Sequence, residues 1–228
     1  MGGKHNIKLA VDAIVFGYER GQLFVLLIQR KFGSTKGQWA LPGGFVKEAE
    51  GLTAAVEREL KEEAGIGVNY LEQLYTFGDD VRRDPRGRVI SVAYFALGDP
   101  SLLRPVADTD ASDARWYGMD ELPKLAFDHR KILDVALERL RGKLIYQPVG
   151  FELLDAEFPF SDLEMLYSTI LGREVDRRNF RKKVLALGIL KATGKERSLG
   201  SGRPAQLFRF DRRMYERLRK RGIYLDLG

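Results

Sequence analysis

The sequence predicts two domains: a layered α/β domain over residues 1–148, and over 149–228 a smaller domain of short helices and a β-hairpin. Three observations carry this. Apolar strand-like runs alternate with helix-like runs in the first part. Two short capped helices precede two strand-like runs in the second. The charge also divides. Residues 1–148 hold 21 Lys+Arg against 21 Asp+Glu, a net of zero, whereas 149–228 hold 17 against 11, a net of +6. Between Arg173 and Arg221 the count is 17 against 5, a net of +12. Such asymmetry points to a nucleic acid or another polyanion as partner of the second part.

Lys8–Phe16 and Leu23–Gln29 read as two strands joined near Glu19-Arg20-Gly21. A loop over Gly33–Gly44 follows. Leu52–Ala64 lacks proline, is rich in Ala, Leu, Glu and Arg, and ends at Gly65, so it reads as a helix with a glycine stop. Val68–Phe77 and Val89–Leu97 read as strands, the second nearly continuously apolar and therefore central. Ala114–Tyr117 is a short strand candidate. Asp128 is a cap for a helix to about Gly142, with Ile132, Val135, Ala136 and Leu140 as its buried side.

The helix over 52–64 carries the chemistry. At about 100° per residue, Glu59, Glu62 and Glu63 lie within roughly 100° of one another, beside an apolar stripe of Val56 and Leu60. Like charges at i,i+4 disfavour a helix. A cation removes that repulsion, and clustered carboxylate oxygens suit hard Mg²⁺ or Mn²⁺. Arg58 stands beside Glu62 and can orient the cluster. The alternative is a solvated acidic face.

Gly44 to Ile66, GFVKEAEGLTAAVERELKEEAGI, fits G-x5-E-x7-R-E-U-x-E-E-x-G-U (U, bulky apolar) at Gly44, Glu50, Arg58, Glu59, Leu60, Glu62, Glu63, Gly65 and Ile66. It resembles the Nudix family. The lead-in, Gly37-Gln38-Trp39-Ala40-Leu41-Pro42-Gly43-Gly44, is similar too. The resemblance implies an α/β/α Nudix sandwich with a mixed sheet over roughly 6–145. It implies hydrolysis of a nucleoside diphosphate linked to another moiety, with Mg²⁺ or Mn²⁺ held by the Gly44 carbonyl, Glu59, Glu62 and Glu63. Glu59, Glu62, Glu63, Arg58 and Glu50 are the catalytic candidates, Glu50 in a supporting role. Ligand-binding candidates are Arg30, Lys31, Trp39, Gly43 and Gly44. Surface solubility is the alternative for Arg30 and Lys31, and packing for Trp39. The loop Asp79–Arg88 reads either as a specificity loop or as a solvated turn. His129, at a helix start, is a candidate for catalysis or for capping and packing.

In the second domain Phe160-Ser161-Asp162-Leu163-Glu164-Met165 predicts a capping box (Ser161, Glu164), with Phe160 stapled onto Met165. This helix ends near Gly172. Asp176 caps a second helix ending at Gly188, with Phe180, Val184 and Leu187 on one face and Arg178, Arg181 and Lys182 on the other. Two short helices with a basic second one match helix-turn-helix geometry. Ile189–Thr193 and Gln206–Phe210 then predict a hairpin with a basic, glycine-rich tip, a wing. Asp211 caps a last basic helix. The whole reads as a winged helix-turn-helix domain with 176–187 in the major groove and the wing at the backbone or minor groove. Candidate DNA contacts are Arg177, Arg178, Arg181, Lys182, Arg197 and Arg203. Docking on an acidic protein or on RNA is the alternative.

A Nudix domain followed by a winged helix with R-x-x-G-x-G-R-P-A-x-L-[FY], here Arg197 to Phe208, resembles the Nudix-related transcriptional regulators of NAD metabolism, the NrtR family. The resemblance covers nearly the whole chain. It implies a homodimeric repressor that binds a palindromic operator in double-stranded DNA and is released by ADP-ribose. Many members of that family have a degraded Nudix motif; here it is intact. That keeps open an ADP-ribose pyrophosphatase with an accessory C-terminal domain, and a regulator that also cleaves its effector. A sugar-sensing regulator of similar architecture fits less well, since a neutral sugar needs no metal.

Composition narrows the classes further. With no cysteine, disulfides and thiolate metal sites are excluded, which fits the cytoplasm. The longest aliphatic-aromatic run, Leu23–Ile28, is far too short to span a bilayer. The N-terminus reads as neither a signal peptide nor a myristoylation site, since position 6 is Asn.

Overall fold

The computed structural model describes residues 6–107, 111–198 and 204–222. The chain divides into two compact units, 1–137 and 138–228.

In the first unit β1 (Lys8–Glu19), β2 (Gln22–Arg30), β3 (Trp39–Ala40), β4 (Gly43–Phe45), β5 (Tyr70–Phe77), β6 (Val89–Leu97) and β7 (Ala111–Gly118) form one seven-stranded sheet. Its main order is β3-β2-β1-β6-β5; β4 also pairs with β1, and β7 with β2. β1 and β6 run parallel while the other pairs are antiparallel, so the sheet is mixed. The long parallel pair is possible because both strands are buried on both faces. Val11, Ala13, Val15, Val92, Tyr94 and Ala96 pack on α1 (Leu52–Ala64), through its Val56 and Leu60. Residues of the other parity, including Ile14, Phe16, Ala93 and Phe95, are buried too. α1 has the predicted bounds, and Gly65 closes it in the left-handed region (φ 66°) with its N–H on the Leu60 and Lys61 carbonyls.

Three expectations for the elements up to Tyr146 change. The segment read as a loop over 33–44 holds β3 and the start of β4, whose few residues carry too little periodicity to register as strands. β7 is longer than Ala114–Tyr117, because pairing with β2 overrides its polar composition. α2 (His129–Tyr146) runs through Gly142. Burial of Leu140 and Leu144 offsets the roughly 1 kcal/mol helix penalty of that glycine.

In the second unit α3 (Phe160–Leu171) and α4 (Arg177–Ala186) are joined by a short turn after Gly172, which takes φ 67°. Asp176 caps α4, accepting from the Asn179 N–H. β8 (Phe158–Pro159), β10 (Ala205–Phe210) and β9 (Leu190–Arg197) form a three-stranded sheet in that order, and α5 (Arg212–Lys220) is capped by Asp211. β8 was not expected. The capping box and staple at 160–165 are not formed: α3 begins at Phe160 with Pro159 as its N-cap, Ser161 lies inside the first turn, and Met165 is exposed. Phe160 instead packs against Phe180 and Phe208. That burial sets the helix start. Leu187 is half-buried at the end of α4. No helix among the described residues is long and apolar enough to cross a membrane.

Candidate functional site

The predicted carboxylate face turns inward. Glu59 and Glu63 are buried, at 8% and 4% exposure, and Glu62 is half-buried. They face β4, which the β1 register sets against Val11 and Asp12. Glu63 Oε2 accepts the Gly43 N–H at 2.8 Å. Arg58 is the hub. Its Nε and Nη2 grip Glu50 bidentately at 2.6 and 2.9 Å, Nη1 donates to Glu59 Oε1 (2.6 Å) and Glu62 Oε2 (3.0 Å), and Nη2 also reaches the Phe45 carbonyl at 3.1 Å. Such a planar fork is what Arg, not Lys, supplies.

These contacts shape the charges. The Arg58 hydrogen bond holds the Glu50 carboxyl down at about 2. Burial pushes Glu59 up, against the opposing pull of Arg58. Arg58 is driven further up, first by Glu50. Among the described residues no three His, Asp or Glu side chains already form a metal cage. The donor set nevertheless fits a hard cation: oxygen ligands, a buried carboxylate resisting ionisation, and Gly44, where a Cβ would fall 2.3 Å from Glu59 Oε1.

Next to β4 lies a second buried cluster that sequence reasoning missed. Asp12 accepts from the Ser91 hydroxyl at 2.5 Å and lies 3.4 Å from His129 Nε2 and 3.6 Å from Arg83 Nη2. Arg83 grips Asp128 bidentately at 3.0 and 2.7 Å. His129 Nδ1 accepts the Leu41 N–H at 2.9 Å, which leaves Nε2 to carry the proton toward Asp12. Burial pulls His129 down, the nearby carboxylates notwithstanding. His129 is thus a packed, hydrogen-bonded ring, and the Asp128 carboxylate is taken by Arg83. The signal was available: Asp12 is one charge inside an otherwise apolar strand.

The loop 79–88 is mostly an exposed turn, from which Arg83 and Asp84 fold inward. Arg86 pairs with buried Asp84 and stacks over Phe45 (4.7 Å) and Phe127 (5.0 Å). Arg30 meets the same Phe127 ring at 5.1 Å and donates to Thr35 Oγ1. Arg30, Arg83, Arg86, Gly43, Gly44 and Phe127 line one small cleft. Lys31 and Trp39 do not join it. Lys31 is exposed over Phe32, and Trp39 packs edge-on against Tyr117 under Arg115. Beyond Arg83, a cavity of about 300 Å³ is lined by Tyr75, Phe77, Asp79, Asp80, Asp128 and Lys131 among others.

In the second unit Arg177, Arg178 and Lys182 lie exposed on α4, in no ion pair among the described residues. Arg181 differs: its guanidinium stacks over Phe160 at 4.6 Å and faces Phe208 at 5.8 Å. Arg197 is held by Asp155 and the Glu157 carbonyl. Arg203 lies outside the described residues.

Comparison with known proteins agrees with both halves. The NUDIX domain family matches residues 7–136, and the NrtR DNA-binding winged helix domain matches 150–210. The chain is 36% identical to the ADPR responsive transcriptional repressor NtrR of Acinetobacter baylyi, over 91% of this chain and 84% of the relative. Its first part is 42% identical to an ADP-ribose pyrophosphatase of Methanocaldococcus jannaschii, over 55% of this chain and 70% of that protein. The crystal structure of Shewanella oneidensis NrtR with a 27mer DNA superposes with a TM-score of 0.81 at 35% identity, covering 91% of this chain and 95% of that one. The NUDIX domain of the same protein complexed with ADP ribose gives 0.54 at 38%, covering 58% and 88%. Fold and site together define a Nudix domain followed by a DNA-binding winged helix. The chain belongs to the NrtR family of Nudix-related transcriptional regulators.

Proposed function

We propose that this protein is a DNA-binding transcriptional repressor of NAD metabolism whose Nudix domain binds ADP-ribose as effector, acting as a homodimer on a palindromic operator. The observation that carries this is full-length similarity to an ADPR responsive repressor, with both the Nudix and the winged-helix units in one chain. α4 presents Arg177, Arg178 and Lys182 to the major groove, where an arginine can read guanine bidentately. The diphosphate of the effector enters beside Gly43 and Gly44, where Arg30 and Arg86 supply positive charge and Phe127 an apolar wall.

A second activity rests on the intact motif and on the similarity to an ADP-ribose pyrophosphatase. The Gly44 carbonyl, Glu59, Glu62 and Glu63 would hold Mg²⁺ or Mn²⁺, which polarises phosphoryl oxygens and acidifies a bound water. Arg58 fixes Glu59 and Glu62 in place, and Glu50 fixes Arg58. The protein then cleaves slowly what it senses, giving AMP and ribose 5-phosphate.

A gel shift on the gene's own upstream DNA, titrated with ADP-ribose and Mg²⁺ while AMP is followed, tests both. The repressor function predicts a shift abolished by ADP-ribose; a shift indifferent to it excludes ADP-ribose as effector. Glu63→Gln should stop AMP release and leave the shift itself intact. No turnover of any nucleoside diphosphate substrate by wild type removes the enzymatic activity alone.

A further inference from the structure

All three cations of β9 are engaged by carboxylates from outside the strand. Lys191 Nζ lies 2.5 Å from Asp211 Oδ2. Lys195 Nζ donates to both Glu157 oxygens at 3.1 and 3.0 Å. Arg197 Nη2 meets Asp155 Oδ2 at 3.3 Å and the Glu157 carbonyl at 3.1 Å, and Nη1 lies 3.9 Å from Asp162 Oδ2. The local backbone suits this. Ala192 and Glu196 of β9 pair with Phe208 and Gln206 of β10, so four steps on one strand match two on the other. Gly194 takes φ 77° within this bulge, immediately before Lys195. Asp155 and Glu157 lead into β8, and Asp162 belongs to the first turn of α3. The acidic group is therefore tied to the core of the domain. On α4, by contrast, Arg177, Arg178 and Lys182 stay exposed.

Two sets of cations thus meet a duplex in different states. On α4, Arg177, Arg178 and Lys182 need no ion pair among the described residues broken. Those of β9 must leave a carboxylate before they can take a phosphate. Exposed ion pairs are weak and displaceable, but leaving Asp155, Glu157 and Asp162 uncompensated beside a polyanion opposes the exchange. Exchange is favourable when base contacts from α4 hold the duplex in register, and unfavourable on a duplex that lacks them.

We infer that Asp155, Glu157 and Asp162 are specificity-determining residues for DNA, acting as intramolecular stand-ins for phosphate that keep Lys195 and Arg197 off non-cognate duplexes. This rests on the DNA-binding function proposed above. It makes the wing strand a conditional contact rather than a permanently basic one.

The test uses the full chain, a duplex that the wild type selects from a random-sequence library, and a scrambled duplex of the same composition. Asp155→Asn/Glu157→Gln/Asp162→Asn should bind the scrambled duplex about tenfold more tightly, with a log–log salt slope steeper by about 2 for the two cations released. Affinity for the selected duplex should rise much less, so the specificity ratio falls. A control, Glu138→Gln/Glu152→Gln/Glu174→Gln, removes equal charge from carboxylates that make no ion pair with β9 and should leave the ratio unchanged. Should the triple variant fail to fold, Asp155→Asn alone, at a side chain 62% exposed, tests the same direction. Equal gains on both duplexes, an identical shift in the control, or no gain at all overturns the inference. A selection that enriches no sequence fails the DNA-binding function itself, and so is distinguishable.

Discussion

Gly44 and Glu59 are packed with no room for a methyl group between them: a Cβ on Gly44 would sit 2.3 Å from Glu59 Oε1 and 2.6 Å from its carboxyl carbon. What it meets is the end of a flexible side chain, which can rotate away. Gly44→Ala should therefore fold normally and lose its site, with Mg²⁺ and ADP-ribose affinity by calorimetry falling tenfold or more, about 1.4 kcal/mol. Gly43 is the contrasting neighbour. Its Cβ would meet the Val11 carbonyl at 2.3 Å, a backbone atom in the strand that β4 pairs with. Gly43→Ala should destabilise the unit by about 1–3 kcal/mol in denaturant unfolding, as overpacking does. Equal destabilisation by both substitutions would contradict the assignment.

The Glu50–Arg58 pair predicts an acid limb to stability. Arg58 holds the Glu50 carboxyl at about 2 when folded, below the roughly 4.3 of an unfolded chain. A depressed carboxylate pKa stabilises the fold above the unfolded value, and that contribution is lost as pH falls through the folded one. Thermal midpoints of wild type should thus drop between about pH 4.5 and 2 more steeply than those of Glu50→Gln. Parallel curves would show that this pair contributes nothing.

Arg83 compensates two carboxylates, Asp128 bidentately and Asp12 at 3.6 Å, with only 4% of its side chain exposed. Removing one partner of a buried pair typically costs about 3–5 kcal/mol because the other charge is left behind. Arg83→Met should approach that cost, and adding Asp128→Leu should recover part of it. Arg83 also holds His129 down, so in Arg83→Met the His129 ring should titrate at higher pH by NMR. An unmoved His129 with unchanged stability would mean that the cluster is not coupled.

Legibility tracked how local each feature is. α1 was readable to the residue, because propensity, an apolar stripe and Gly65 all agree within 13 residues. The motif placed Arg58 beside the glutamates, but its grip on Glu50, Glu59 and Glu62 depends on the 45–50 segment returning to the helix, which no pattern encodes. β3, β4 and β8 are two or three residues long and exist only through their partners. The α3 start departs from the local pattern for the same reason: Ser161 and Glu164 fit a capping rule, yet packing of Phe160 against α4 and β10 sets the boundary. Asp12, Arg83 and His129 meet across 117 positions from first to last, and only the fold joins them.

Arg178 and Arg181 looked equivalent on a helical wheel and are not. Both residues are exposed, but the Arg181 guanidinium sits over Phe160 and reaches Phe208, the rings that hold α3 and β10 against α4. A guanidinium on aromatic faces is worth about 0.5–1 kcal/mol at exposed sites, and its removal also uncovers two otherwise buried rings. Arg178→Ala should leave the melting temperature unchanged and weaken binding to a selected duplex by about 1–3 kcal/mol, the worth of a bidentate base contact. Arg181→Ala should lower the melting temperature, while Arg181→Lys restores charge but not stacking. If Lys at 181 recovers DNA affinity without recovering stability, Arg181 touches phosphate directly. If both return only in part and together, its work is to seat α4 on the domain, and base reading belongs to Arg177, Arg178 and Lys182.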